Sequence, residues 1–294
     1  MRCLLVLSAL VLGVGCGGSD DGGEQKEVAN EKKIVWYGAM VHPYIAEVEK
    51  GVVGYERDTG TKIKHQIGQK LTQDNENANV EALAAQGYKG FSIFPADASA
   101  ANGLYEELVQ HGGYVVSYGA PTTLPTPASV CVATDVKQAA MEATEALIGF
   151  MGGKGNILNV LELIEDPNTI LRKEGVEAAV AKYPQVQIIQ TIAGMESVET
   201  STVKIQDAFA AKVKEIDGVI CTGYTSTVAA AMILGEWNET PGNERVSFVG
   251  IDTDQVVLDA IRSGSIDATM SQNPYGHGYI SCGLLSYVLD GWRP

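Results

Sequence analysis

The sequence predicts an α/β protein built as two doubly wound lobes. Three observations carry this. From residue 34 onward, short runs rich in β-branched and aromatic residues alternate with helical patterns. Several of those runs are continuously apolar, as in parallel strands covered by helices on both faces. The alternating series also occurs twice, with five strand candidates in each pass.

The strand candidates of the first pass are residues 34–40, 62–68, 90–95, 114–118 and 129–133, with helices at 44–59, 75–86 and 100–111 between them. A helix at 136–151 leads into the second pass. Its strands are 156–161, 186–191, 218–222, 246–251 and 266–271, and its helices 170–182, 201–214, 225–235 and 254–263. Gly152-Gly153-Lys154-Gly155 sets a lysine among glycines without phosphate-loop spacing, and reads as a turn before a strand. Repeated βα units imply right-handed crossovers. The halves share no close sequence identity, so the repeat is one of architecture. Two such lobes side by side form a cleft facing the carboxyl ends of their strands, where open α/β sheets bind ligands.

The chain begins with Met1-Arg2, an apolar stretch over 3–14, Gly15-Cys16 and a polar, glycine-rich stretch. A basic start, a short apolar run and small residues before a cut site make a secretory leader. The run falls short of the roughly 20 residues of a membrane-spanning helix. Cys16 after small residues resembles the bacterial lipoprotein signal, in which that cysteine carries lipid, although Gly13 stands where the signal has leucine. A leader over 1–15 and a lipid-anchored flexible linker over 16–32 are therefore expected, with a plain cleaved secretion signal as the alternative.

The remaining body is long enough for two domains. The chain carries 21 Lys and Arg against 36 Asp and Glu, net −15; loss of Arg2 with the leader leaves −16. No basic patch is available to neutralise phosphates, so nucleic acid is not an expected partner. Cys131, Cys221 and Cys282 remain in the body, widely spaced among apolar or small residues, and are expected to be buried free thiols. Four histidines, His42, His65, His111 and His277, have no metal-ligand spacing, and no nucleophile elbow is present.

Several local motifs fall in a telling order. His42-Pro43-Tyr44-Ile45 follows the first strand. Gln86-Gly87-Tyr88-Lys89-Gly90 runs into Phe91-Ser92-Ile93-Phe94-Pro95-Ala96-Asp97. Arg172-Lys173-Glu174-Gly175-Val176 opens a helix, Val249-Gly250-Ile251-Asp252 ends a strand, and Ala268-Thr269-Met270-Ser271-Gln272-Asn273-Pro274 closes the second pass. In these motifs the chain resembles periplasmic solute-binding proteins of the ribose-binding type, which serve carbohydrate ABC transporters. The resemblance covers nearly all of the body. It implies the type I periplasmic binding protein fold, two Rossmann-like lobes with a ligand cleft between them. It implies a first lobe of residues 33–134 and 273–294 and a second of 135–272.

By resemblance, His42, Tyr44, Asp252 and Gln272 contact the ligand. The chemistry agrees, since a neutral sugar needs planar polar groups for its hydroxyls and aromatic faces for its C–H surfaces. Position in the cleft adds Tyr118, Asn168, Arg172, Glu196 and Tyr224. Five also have a structural reading: a loop residue for His42, helix-end packing for Tyr44, core for Tyr118, a helix N-cap for Asn168 and surface pairing for Arg172. Asp97 reads as a cap, and Asp135 as either a hinge hydrogen-bonding residue or a ligand contact. Tyr118-Gly119-Ala120 stands where ribose binders have an Asp-Arg pair, and Gly223 replaces a polar residue, so a ligand other than ribose is expected. The family has a further strand and return crossover after its final helix, where this chain ends at Gly291-Trp292-Arg293-Pro294. The sequence is thus expected either to be truncated or to lack one hinge strand.

The expected function is extracytoplasmic capture of a small neutral sugar or polyol for the membrane permease of an ABC importer, by hinge closure of a monomer without cofactor, metal or catalysis. The alternatives are a sensory binding protein for a chemoreceptor or sensor kinase, and a secreted enzyme using Glu196 and Asp252 on glycosides. A transcription regulator of this fold would need a helix-turn-helix where this chain has a leader.

Overall fold

A computed structural model describes residues 32–293. These form two five-stranded, all-parallel sheets. The first contains β1 (Ile34–Gly38), β2 (Ile63–Ile67), β3 (Gly90–Ile93), β4 (Tyr114–Tyr118) and β5 (Val130–Val132), in the order β2-β1-β3-β4-β5. The second contains β6 (Gly155–Val160), β7 (Val186–Ile192), β8 (Gly218–Cys221), β9 (Ser247–Ile251) and β10 (Ala268–Met270), in the order β10-β9-β8-β6-β7. All ten strands coincide with sequence-predicted runs, and the fold is the type I periplasmic binding protein fold.

The burial pattern follows sheet position. Central strands β1, β3, β8 and β9 are buried at every residue, as their unbroken apolar runs require. Edge strands β2, β5, β7 and β10 keep intermediate or exposed residues along their length. This corrects one expectation: Cys131 sits on edge strand β5 and is exposed, while Cys221 and Cys282 are buried.

The helices are α1 (Pro43–Thr59), α2 (Gln73–Ala85), α3 (Ala101–Gln110), α4 (Val136–Phe150), α5 (Pro167–Val180), α6 (Val198–Lys212), α7 (Tyr224–Glu239), α8 (Gln255–Ser263) and α9 (Pro274–Leu289). Side chains of Asp135, Asp166, Ser197, Asp254 and Asn273 cap five of them. Asp97 accepts from the backbone of Ser99 and Ala100, the capping role expected of it. The helix α9 has no counterpart among the patterns read from sequence. It is apolar on all sides and carries Gly276, Gly278 and Gly283, so no amphipathic period marks it.

The chain passes from one sheet to the other twice. Strand β5 belongs to the first sheet, whereas α4 packs against α5 and strands of the second. Strand β10 belongs to the second sheet, whereas α9 packs on α1 and on β1, β3 and β4 of the first. The α1–α9 contact is close because glycines line it. A Cβ on Gly278 would collide with the Val48 carbonyl, and one on Gly51 with that of Tyr275. Cys282 and Leu285 of α9 join Trp36, Val52 and Tyr118 in one buried cluster.

Candidate functional site

The loops at the carboxyl ends of strands from both sheets enclose a cavity of about 70 Å³. From the first sheet come Ala39, Met40 and His42 after β1, Tyr44 and Ile45 of α1, Leu71 after β2, and Phe94 after β3. From the second come Glu162, Leu163 and Asp166 after β6, Asn168 and Arg172 of α5, Met195 and Glu196 after β7, Gly223 and Tyr224 after β8, and Asp252 after β9.

His42 is the N-cap of α1. Its Nδ1 accepts from the Tyr44 backbone N–H at 3.2 Å, so the neutral ring carries its proton on Nε2. Burial, with Arg172 nearby, pushes its pKa down to about 4. Tyr44 shares a 2.7 Å hydrogen bond with Nδ1 of His277 on α9, which fixes its ring. Burial pushes His277 down to about 4 as well. The Tyr224 hydroxyl donates to Asp254, so it has only acceptor capacity left. The rings of His42 and Tyr224, one from each set of loops, meet edge to face at 6.0 Å.

Arg172 is 7% exposed and lies among carboxylates. Asp166, Asp252 and Glu162 each have a pKa raised by burial and opposed by Arg172. Helix α5 starts at Pro167, earlier than the pattern suggested, and Arg172 lines the cavity instead of lying at the surface. Asp166 is the N-cap and accepts from the Asn168 backbone at 2.9 Å. Asp252 has φ 74°, the left-handed region, and is the only non-glycine residue there among those described. Such strain survives where the surroundings over-determine the backbone. Here its N–H donates to the Met270 carbonyl at 2.8 Å, and its carbonyl accepts from the Thr269 hydroxyl at 2.7 Å. The Asn168 Nδ2 donates to the Gly119 carbonyl at 3.0 Å, joining the two sets of loops directly. The Arg172 Nε and Asn168 Oδ1 are buried and have no protein partner.

Seven of the nine sequence-predicted residues line the cavity: His42, Tyr44, Asn168, Arg172, Glu196, Tyr224 and Asp252. Tyr118 does not. Its side chain is fully buried beneath the loops, its hydroxyl donates to the Tyr37 carbonyl at 3.0 Å, and its ring packs against Trp36 and Phe94. Gln272 does not line it either. It lies in an adjoining recess and donates to Asp252 Oδ1 at 2.9 Å. Sequence reasoning missed Phe94, Glu162, Asp166 and Met195. The motif around Phe94 was visible, whereas Glu162 and Asp166 sit in a loop whose course only the fold defines.

The chain matches the family model described as a periplasmic binding protein domain over residues 34–292. It belongs to that family, as its motif resemblance to the ribose-binding type implied. One relative is a xylitol-binding protein of Mycolicibacterium smegmatis, 24% identical over 243 residues that cover 82% of this chain and 67% of the relative. Among solved structures, an ABC transporter solute-binding protein of Burkholderia graminis in complex with D-arabinose aligns with a TM-score of 0.81 at 18% identity, covering 90% of this chain and 92% of the other. One from Bacillus halodurans with bound myo-inositol aligns at 0.80 and 15% identity, with the same coverages. One from Agrobacterium vitis with bound D-fucose aligns at 0.79 and 17%, covering 89% of this chain and 90% of the other.

Proposed function

We propose that this protein captures a small neutral sugar or polyol outside the cytoplasm and presents it to the membrane permease of an ABC importer. One observation carries the reading: in the interlobe cavity a single buried Arg172 is surrounded by Asp166, Asp252 and Glu162, with a neutral His42 and aromatic walls. Acceptors outnumber donors there. The complementary solute is rich in hydroxyl donors and carries no carboxylate, which would meet those acidic side chains. Tyr44, Phe94 and Tyr224 supply faces for C–H surfaces. The relatives' ligands, xylitol, D-arabinose, myo-inositol and D-fucose, are all small, neutral and polyhydroxylated.

In this reading His42, Asp166, Arg172, Glu196 and Asp252 bind the solute, and Asn168 closes the cleft against Gly119. Ligand selects the closed arrangement, which the permease then recognises. The lobes divide at the two crossings, 33–134 with 273–294 against 135–272, and the protein works as a monomer without catalysis. Cys16 and the leader lie outside the described residues; a lipid on Cys16 would tether the body to the membrane.

A thermal-shift screen against pentoses, hexoses, deoxysugars, polyols and amino acids tests the reading. A solute at a hundred times its Kd stabilises by about 2.7 kcal/mol. A sugar or polyol hit that disappears in Arg172→Ala and Asp252→Ala is expected. Hits confined to amino acids, or a sugar hit untouched by both substitutions, would overturn it.

A further inference from the structure

Helix α7 carries Tyr224 into the cavity but starts on a residue that cannot cap it. Its N-cap is Gly223, with no side chain to satisfy the first-turn N–H groups. The missing acceptor comes from another loop. Glu162 Oε1 accepts from the Ser226 backbone N–H at 3.0 Å and lies 2.9 Å from the Ser226 hydroxyl, while Oε2 accepts from the Thr225 hydroxyl at 2.8 Å. Ser226 is the third residue of the helix, the position an N-cap side chain would itself serve. A carboxylate at that end also meets the positive pole of the helix.

The backbone of Glu162 reaches a third loop. Its carbonyl accepts from Gly194 N–H at 3.0 Å, and Leu161 N–H donates to Ile192 at 2.9 Å. Thr225 Oγ1 also lies 3.2 Å from the Met195 carbonyl. The three loops joined here supply Asp166 and Arg172, Met195 and Glu196, and Tyr224. Gly223 makes the arrangement possible. Its φ of −153° is open to any residue, so glycine is not needed for conformation. It is needed for space, because a Cβ there would collide with Glu162 Cγ.

We infer that Glu162 is a positioning residue that caps α7 in trans and locks the three second-sheet loops into one wall, with Gly223 admitting it. The inference rests on the reading of the cavity as the ligand site. Amide exchange on the purified protein without ligand, together with calorimetric titration of xylitol, tests it. Glu162→Ala speeds exchange about tenfold in both 222–228 and 163–172, the factor a lost cap implies, and leaves β9 unchanged. Glu162→Gln keeps protection in both segments, because its oxygen still accepts from Ser226. Gly223→Ser is harmful beside Glu162 but restores 222–228 in the Glu162→Ala background, since serine caps helices and fills the vacated space. Should Glu162→Ala not fold, Glu162→Asp serves, being too short to reach Ser226 yet still charged. Xylitol affinity falls at least tenfold with Glu162→Ala and returns with Gln. Unchanged exchange in both segments, loosening of 163–172 alone, or equal harm from Gly223→Ser in both backgrounds would overturn the inference. Failure of the unaltered protein to bind xylitol would count against xylitol as its solute, while exchange would still decide the role of Glu162.

Discussion

Glu76 lets the buried electrostatics of the first sheet be measured directly. Its side chain on α2 is fully buried, with Oε2 accepting from the Ala96 backbone at 2.6 Å and Oε1 from Gln73 Nε2 at 3.3 Å. It thereby pins the loop that places Phe94 in the cavity wall. Burial raises its pKa from 4.5 to about 7, with a further push from Asp97. A carboxyl whose folded pKa is raised favours folding while neutral. Its contribution is whole below 4.5 and is lost as pH rises through about 7. The span of about 2.5 units corresponds to about 3 kcal/mol at 1.36 kcal/mol per unit. Glu76→Gln keeps the acceptor for Ala96 and removes the titration. The two proteins should match in stability near pH 4.5, and the variant should lead by about 3 kcal/mol at pH 8, roughly 6–12 °C in Tm. His42 and His277, both lowered to about 4, pull the other way as pH falls below 6.5, but they are common to both proteins and cancel in the difference. Urea unfolding of both proteins at half-unit pH steps reads the difference. A flat difference from pH 4.5 to 8 would refute the reasoning, since Glu76 would then ionise as an ordinary surface carboxylate.

Three further outcomes follow from the same geometry. Asp252→Gly relieves a left-handed residue that costs about 1 kcal/mol or more, while losing the Gln272 bond and a cavity carboxylate. Tm should hold or rise, and affinity for the solute found by thermal shift should fall at least tenfold; a fall in Tm with unchanged affinity would contradict this. Asn168→Ala removes the bond to Gly119, worth about 1 kcal/mol, so the ligand-free protein should scatter X-rays with a larger radius of gyration; an unchanged radius denies Asn168 a part in closure. Gly278→Ala drives a methyl into the Val48 carbonyl and should cost about 1–3 kcal/mol in chemical denaturation; a neutral result would mean that α1 and α9 separate easily.

Much of this protein is determined by its sequence alone, because its signals are local. Unbroken runs such as Ile34-Val35-Trp36-Tyr37 and Phe248-Val249-Gly250-Ile251 read as buried parallel strands, and their alternation with helical patterns implies the doubly wound sheets. His42 before Pro43, and Asp252 after Val249-Gly250-Ile251, were reached through the resemblance of these motifs to the ribose-binding type. Other features depend on contacts between distant segments. Tyr118 ends a strand as Asp252 does, yet it faces the core and bonds Tyr37, and no local pattern distinguishes the two. The helix α9 lacks amphipathic periodicity because α1 and the first sheet enclose it on several sides. Glu162 and Gly223 are 61 positions apart, and neither looks functional until the fold puts a carboxylate at an uncapped helix end. Local periodicity is written in neighbouring residues, whereas partnership across loops is decided only when the sheets bring their carboxyl ends together.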